Sequence, residues 1–594
     1  MKKILFLIIS VTLMCILCSC GGDEKYNHLE FYPQDDGKYH VGLADSVNRE
    51  EITDLADVEI PVFYKGRLVD GIAGRGFSGC KNLTEFNLPS HIVEIDDAAF
   101  ENCGFESLTI PMHIKKLGYH AFSSCHKLTS VDFKGLTTEI ESGVFISCIS
   151  LTDVKLPAGL REISTTVFEF CTALEKIEIP RGVRSIGGAA FRYCENLKGI
   201  NLPDGLLEIG DQVFSGCIAI TEISIPDSVI HLGKDAFKDC SSLTKAHFGG
   251  PEVITMDEVN SMRELTHVSF GEGVKEIGNL CFTNAKKLES VTLPSGIRSI
   301  ARAFTWSVAL QYHSYGGGFY LGNEENPYIY LIASNGVSEL DIHPDTKIIN
   351  DEAIATCGNL TEIILPDGIR SVVGIDLSSA VPELLNEYKG GYYLGTRDNP
   401  YHLMYGTVYG ADDSVEIHPD TVIISTNALS TWHNLSHLHI PAKVSSIIPV
   451  ISRHANNLTE ITVDPENKHF KSEDGVLYSA DGKTLICYPK MKEGDSFDIP
   501  IGVNTIAPYA FHSAQITNIS IGGDVKEIGN YAFYGCEKLE RFTLHKTVSL
   551  IGGSILNSAV ACDVIFVGDE KDLDKIIIFL DNYYLYPEEV LFVK

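Results

Sequence analysis

Cysteine recurs at positions 80, 103, 125, 148, 171, 194, 217 and 240, at intervals of 23, 22 and then 23 residues throughout. A side chain returning at one interval over so many units marks a single structural unit repeated, which excludes one compact core. From Leu151 the unit reads Leu151-x-x-Val154-x-Leu156-Pro157-x-x-Leu160-x-x-Ile163-x-x-x-Val167-Phe168-x-x-Cys171, and Leu174 starts the next. Val154 and Leu156 alternate with Asp153 and Lys155, the period of a short strand with one buried face. Pro157 ends that strand. Leu160, Ile163 and Val167-Phe168 then return apolar side chains to the same interior as the chain turns around a flat coil. A unit of 23 residues cannot close a core alone, so stacked units must bury one another's faces. The 594 residues, which at roughly 150 per domain would suggest about four domains, therefore read as about twenty rungs of one elongated body. At about 4.8 Å between neighbouring strands, that body runs on the order of 100 Å.

The segment Leu174-Glu175-Lys176-Ile177-Glu178-Ile179-Pro180 through Ala190-Phe191-Arg192-Tyr193-Cys194 resembles, position by position, the leucine-rich repeats of the BspA-like or Treponema pallidum type. The resemblance runs from about Ile60 to Val567. It implies an α/β-type, β-rich repeat solenoid, curved and right-handed, with a parallel sheet on its concave side.

The middle of the chain departs from the simple unit. Gly318-Phe319-Tyr320-Leu321-Gly322 with Asn326-Pro327-Tyr328 returns 73 residues later as Gly391-Tyr392-Tyr393-Leu394-Gly395 with Asn399-Pro400-Tyr401. Each copy leads into Asp/Glu-Ile-His-Pro-Asp-Thr, at 341–346 and 416–421. A third insert, Gly475 to Lys483, carries Asp481-Gly482, the signature of a tight hairpin turn. These inserts predict β-hairpins protruding from the central rungs. The organisation expected is a lipoprotein signal peptide over 1–19, a tether and amino-terminal cap over 20–50 and regular repeats over 51–309. Repeats with hairpin inserts follow over 310–500, regular repeats over 501–567 and a carboxy-terminal cap over 568–594.

Lys2 and Lys3 precede an apolar run from Ile4 to Leu17, too short to span a bilayer and suited to a secretory signal. The run ends in Leu17-Cys18-Ser19-Cys20, which resembles a bacterial lipobox and implies cleavage before Cys20 and lipidation there. The expected location is a bacterial membrane reached by export, the outer membrane and cell surface in particular. Hydrophobic residues make up 44% and the formal charge is -32, so a large core is affordable and nucleic acid, which needs clustered cations, is excluded as a partner.

Of the 13 cysteines beyond the signal segment, ten share one register position, which favours packing as free core thiols. Parallel side chains on neighbouring rungs suit a disulfide poorly. Gly74-Arg75-Gly76-Phe77-Ser78-Gly79 matches a dinucleotide fingerprint in letters but sits at a rung's bend, without the strand and long helix that chemistry needs. His437-Leu438-His439 places two imidazoles on one strand face, yet spacing names no third ligand, so no metal and no cofactor is expected. His247 and His267 read as solvated outward residues, and His343 and His418 as parts of a structural turn. Tyrosine is concentrated instead, with 11 of 25 between 312 and 409. Tyr320, Tyr328, Tyr330, Tyr393, Tyr401 and Tyr405, with His437 and His439, are the candidate ligand contacts. The competing expectation is that the inserts use these rings to pack on the solenoid.

No Gly-x-Ser-x-Gly elbow, His-Glu-x-x-His helix or Walker loop is present, so no enzyme is expected. The resemblance implies a cell-surface lipoprotein that adheres to an extracellular protein of a host or neighbouring cell. Capture of polysaccharide is the alternative that the tyrosines support.

Overall fold

The computed structural model describes residues 26–594 apart from 136–137, 260, 305–308, 337–339, 358–359, 374–381, 409–414, 448–450, 452–454, 554, 557–561, 574–575, 579–589 and 594. The signal segment and Cys20 lie outside the described residues, as does most of the expected carboxy-terminal cap.

Most regular rungs give two short strands to two separate parallel ladders; at Glu178 and Asn201 the first ladder thins to an isolated bridge. The first ladder comes from the Leu-x-x-Val-x-Leu-Pro text. Ser107–Ile110, Ser130–Phe133 and Asp153–Lys155 pair in parallel, with Leu108 opposite Val131 and Val131 opposite Val154. Glu222–Ile225, Lys245–Phe248, His267–Phe270 and Ser290–Thr292 continue the pattern further along. Burial alternates along these strands, so one face lies in the core and the other is bare. The second ladder takes two residues per rung, as in Glu162–Ile163, Ser185–Ile186, Glu208–Ile209 and His231–Leu232. The parallel sheet expected from Val154 and Leu156 is present, and Ile163 marks a second sheet that the sequence reading treated only as a turn.

Between the second ladder and the next rung the chain bends through two residues in the left-handed region, for example Ala189 (φ 54°) and Tyr193 (φ 58°). Side chains at such angles are disfavoured. Here the conformation turns each residue's N–H toward the next rung. Ala189 N donates to Asp211 O at 2.8 Å and Tyr193 N to Ser215 O at 2.8 Å, while Phe191 N, between them, donates to Val213 O at 3.0 Å. The bend is thus a third row of hydrogen bonds between rungs, and backbone groups in a segment without strands are satisfied.

Inside the bend runs a spine of phenylalanines. Phe100, Phe122, Phe145, Phe168, Phe191, Phe214 and Phe237 stack in series at 5.4–5.9 Å between ring centroids, with interplanar angles of 5–16°. The periodic cysteine seals the spine. Cys171 Sγ donates to Phe145 O at 3.3 Å, Cys194 Sγ to Phe168 O at 3.2 Å and Cys217 Sγ to Phe191 O at 3.1 Å. Only a small side chain that also donates a hydrogen bond fits a buried slot facing a carbonyl. All 13 cysteines beyond the signal segment are free, and 12 of them are buried. Burial pushes the Cys125, Cys240 and Cys536 thiols up to about 12, which leaves them unreactive.

The inserts are antiparallel hairpins, as expected, and each ends in a strand built into the body of the solenoid. His313–Tyr315, Gly318–Leu321 and Tyr330–Ser334 form a three-stranded antiparallel unit, and Tyr330 then pairs in parallel with Ile348. Asn386–Tyr388, Gly391–Leu394 and Leu403–Thr407 repeat this arrangement, with Leu403 opposite Ile423. Phe470–Glu473, Val476–Ser479 and Thr484–Cys487 do so again, and Gly482 (φ 73°) turns the last two strands. The last strand of each unit takes a place in the second ladder. Its residues explain why: Leu403–Thr407 is buried throughout, so it belongs in the body of the solenoid.

The described part of the segment expected as tether and amino-terminal cap carries a hairpin. Leu29–Pro33 and Tyr39–Leu43 form a hairpin that opens the second ladder, pairing in parallel with Arg67–Ile72. Phe31 stacks on Tyr64 at 3.8 Å and covers the end of the core.

Glutamate heads six of the two-residue strands of the second ladder: Glu94, Glu139, Glu162, Glu208, Glu276 and Glu527. Burial, with Glu252 adding repulsion and Arg298 opposing it, pushes the Glu276 carboxyl up to about 7.

Candidate functional site

The candidate tyrosines divide by burial. Tyr320, Tyr330, Tyr393 and Tyr405 are among the largest fully buried side chains of the molecule, at 0%, 1%, 0% and 0% exposure. They are core residues rather than ligand contacts, because the strands that carry them are buried, and the hydroxyls of Tyr320, Tyr393 and Tyr405 are spent internally. Tyr320 Oη accepts from His343 N at 3.3 Å, and Tyr393 Oη accepts from His418 N at 3.1 Å. Tyr405 Oη donates to the buried Asp351 carboxylate. Burial raises Tyr320 and Tyr393 to about 12.

Tyr328 and Tyr401 are half-buried and make the same contact in the two copies. Tyr328 lies on the His343 ring at 3.9 Å, and Tyr401 on the His418 ring at 3.9 Å. Each imidazole Nδ1 accepts a backbone N–H two residues on, from Asp345 at 3.2 Å and Asp420 at 3.0 Å. The repeated Ile-His-Pro-Asp text therefore builds a turn and roofs it with a tyrosine, as the sequence suggested for these histidines.

His437 and His439 project from the bare face of the strand His437–Ile440, which pairs with Glu460–Val463. They are not drawn together into a ligand set. His437 Nε2 lies 3.8 Å from a Glu460 carboxylate oxygen, and His439 Nδ1 is 3.0 Å from Thr462 Oγ1. Among the described residues, the one grouping of three metal-competent side chains is elsewhere: His40, Glu94 and Asp96, with ligand atoms within 4.8 Å of one another. Burial opposes charge on His40, but the Asp96 hydrogen bond and the nearby Asp96, Glu94 and Asp70 charges outweigh it and raise its pKa.

An aromatic surface also escaped the sequence reading. Tyr509 and Tyr531 stack at 5.1 Å, His512 and Tyr534 at 5.9 Å, and Tyr531 meets Tyr534 edge-on at 5.7 Å. Tyr531 and Tyr534 are 36% and 39% exposed. The signal was there: Tyr509-Ala510-Phe511-His512 and Tyr531-Ala532-Phe533-Tyr534 carry rings on both sides of the buried Ala-Phe pair. Phe170 and Tyr193 make a smaller stack of the same kind at 4.9 Å.

The chain matches the family model described as BspA type leucine rich repeat region, in six copies, over residues 66–175, 161–259, 252–374 and 487–572. No curated protein sequence matches it. Among solved structures it is similar to a leucine-rich repeat protein from Bacteroides ovatus, at 16% identity and a TM-score of 0.30, over 91% of this chain and 98% of that one. It is similar also to the T. pallidum leucine rich repeat protein, at 17% identity and a TM-score of 0.18, over 48% of this chain and 88% of that one. The pneumococcal vaccine antigen PcpA aligns at 12% identity and a TM-score of 0.23, over 95% of this chain and 78% of that one. Among the described residues, no helix is long and apolar enough to cross a membrane.

Truncation separates packing rings from surface rings. Tyr320→Ala or Tyr393→Ala should cost about 3–5 kcal/mol, as for a large core ring, and lower the unfolding midpoint in urea. Tyr531→Ala or Tyr534→Ala should leave that midpoint nearly unchanged, within about 0.5 kcal/mol.

Proposed function

Because the chain belongs to the BspA-type leucine-rich repeat family, we propose that it is a non-catalytic cell-surface lipoprotein that holds an extracellular protein partner against its solenoid. One observation carries this reading. Parallel sheets are ordinarily covered on both faces, yet the outward face of the first ladder is bare. Its side chains change in charge and polarity from rung to rung while the buried ones stay apolar: Glu222 and Ser224, then Lys245 and His247, then His267 and Ser269. A long row of varied polar groups on a rigid frame is suited to a large surface rather than to a small molecule. Tyr328, Tyr401, His437 and His439 remain the candidate contacts that are partly or fully exposed.

A second reading, capture of polysaccharide, is favoured by the exposed rings of Tyr531 and Tyr534 beside the half-buried Tyr509 and His512, since flat rings with hydroxyls stack on sugars. Anchoring at Cys20 is supported by the Leu17-Cys18-Ser19-Cys20 text, and the net charge disfavours nucleic acid.

The chain from residue 21 onward, presented to immobilised extracellular matrix proteins and to a glycan array, should bind protein saturably. His247→Glu with His267→Glu should weaken that binding about tenfold or more. Binding to glycans alone, lost in Tyr531→Ala with Tyr534→Ala, would reverse the order of the two readings. Turnover of any substrate would defeat both. In cells, Cys20→Ser should shift the full chain from the membrane fraction to the soluble one; an unchanged membrane fraction would contradict lipid anchoring.

A further inference from the structure

The first ladder opens where the first insert begins, and the opening leaves a cavity. Ser290–Thr292 pairs in parallel with His267–Phe270 on one side. On its other side the chain meets it at two ends. Gln311 N donates to Glu289 O at 3.0 Å, and Leu293 N donates to Gly322 O at 3.0 Å, next to the bridge between Thr292 and Gly322. Between those ends the chain leaves the ladder to build the antiparallel unit, running out through His313–Tyr315 and back through Gly318–Leu321. The gap is a cavity of about 130 Å³. Val291 and Leu321, both buried, form its floor, and Glu289, Ser290, Gln311 and His313 stand around it.

The polar groups around the cavity are not engaged in holding the fold. Among the described residues, the Glu289 carboxylate has neither an ion pair nor a hydrogen bond, and the nearby Lys287 is paired with Glu264 of the preceding rung instead. The side chains of Ser290, Gln311 and His313 make no hydrogen bond among the described residues either. The second insert shows the packed alternative. Leu293 and Leu365 donate alike to Gly322 O and Gly395 O, and His313 and Asn386 pair alike with Tyr320 and Tyr393. On that alignment Thr361, Leu384 and Asn386 take the places of Glu289, Gln311 and His313. Leu384 is buried, and Asn386 Nδ2 donates to Pro400 O at 2.9 Å. An insert of this kind therefore joins the ladder without the polar set of the first.

We propose that this cavity seats an arginine side chain of the protein partner, with Glu289 taking the guanidinium and His313 covering its flat face. The inference rests on the reading that a protein docks against the bare face of the first ladder. Size selects a single side chain, since pockets for whole small molecules hold roughly 300–1,000 Å³. Charge selects a cation. The unpaired carboxylate lacks one, and a chain of net charge -32 attracts a basic partner surface. Shape selects arginine over lysine. A guanidinium is planar, grips a carboxylate through two parallel N–H groups and stacks on rings, and it has further N–H groups to donate to Gln311 Oε1 and Ser290 Oγ. Arginines seated in pockets of this kind are common anchors of protein interfaces.

The test uses untagged full-length protein in detergent, its histidine rings isotope-labelled and followed by NMR, titrated with N-acetylarginine amide. The His313 signal should move saturably at millimolar concentration, while N-acetylcitrulline amide, the neutral isostere, should leave it in place. Glu289→Gln, at an exposed position, should weaken that binding about tenfold or more, and Glu362→Gln in the second insert should not change it. Glu289→Lys should also weaken capture of immobilised matrix protein. No shift with the arginine amide, or an equal shift with the citrulline amide or with N-acetylglucosamine, would overturn the proposal. If the arginine amide binds and no matrix protein does, the guanidinium site stands and the docking of a protein on this face falls. If matrix protein binds Glu289→Lys with undiminished affinity, docking on the face stands and the arginine seat falls.

Discussion

A rung of this protein has no inside until another rung lies against it, and the contact that supplies one is the stack of phenylalanine rings at the bend. Each ring is fully buried, a burial that stabilises by about 1.5–3 kcal/mol, and parallel offset contact adds about 0.5–1.5 kcal/mol. The ring alone would leave the carbonyl of its own residue facing the core. The cysteine of the following rung donates to that carbonyl, so ring and thiol work as one device across two rungs. The left-handed bend residues complete it by turning their amides the same way.

That constraint accounts for the form of the inserts. An insertion that pushed two rungs apart would break the spine and both ladders. Each of the three inserts instead ends in a strand that takes a ladder place, so the body continues through it. The two related inserts replace the spine's packing with tyrosines, whose rings fill the core while their hydroxyls accept from the turn at His343 or His418. Where the spine is interrupted, the cysteine rule changes too: Cys357 Sγ donates to Ala353 O of the preceding short helix at 3.3 Å and lies 3.1 Å from Ser334 Oγ, rather than meeting the carbonyl of a phenylalanine.

The repeat made the fold legible, because strict periodicity names every buried position and a single unit is repeated many times. Val154, Leu160, Ile163, Phe168 and Cys171 are all buried as the pattern requires. The second ladder was less legible, since two residues such as Glu162 and Ile163 carry no alternation to read. The tyrosines of 312–409 misled in part for a physical reason. A tyrosine serves as well inside, with its hydroxyl satisfied, as at a surface, and composition cannot tell these apart. The exposed rings at 509–534 were hidden by the opposite effect, flanking an Ala-Phe pair whose packing role explained the segment too readily. His40 could not have been found from spacing, since its partners are 30, 54 and 56 residues away. Only the ladder register brings them together.

The bare face of the first ladder follows from the same design, because a spine that fixes the core leaves the outward strand positions free to vary. The dependence of the whole on ring-to-ring contact is tested most directly by hydrogen exchange on Phe168→Ala. That change removes about 3–5 kcal/mol of packing from one link. The account predicts lost amide protection across the adjoining bends, including Phe145 and Phe191, with protection at 500–550 retained and Phe170→Ala, on the bend's outer side, showing no loss. Protection lost at Phe168 alone, with its neighbours unchanged, would contradict it.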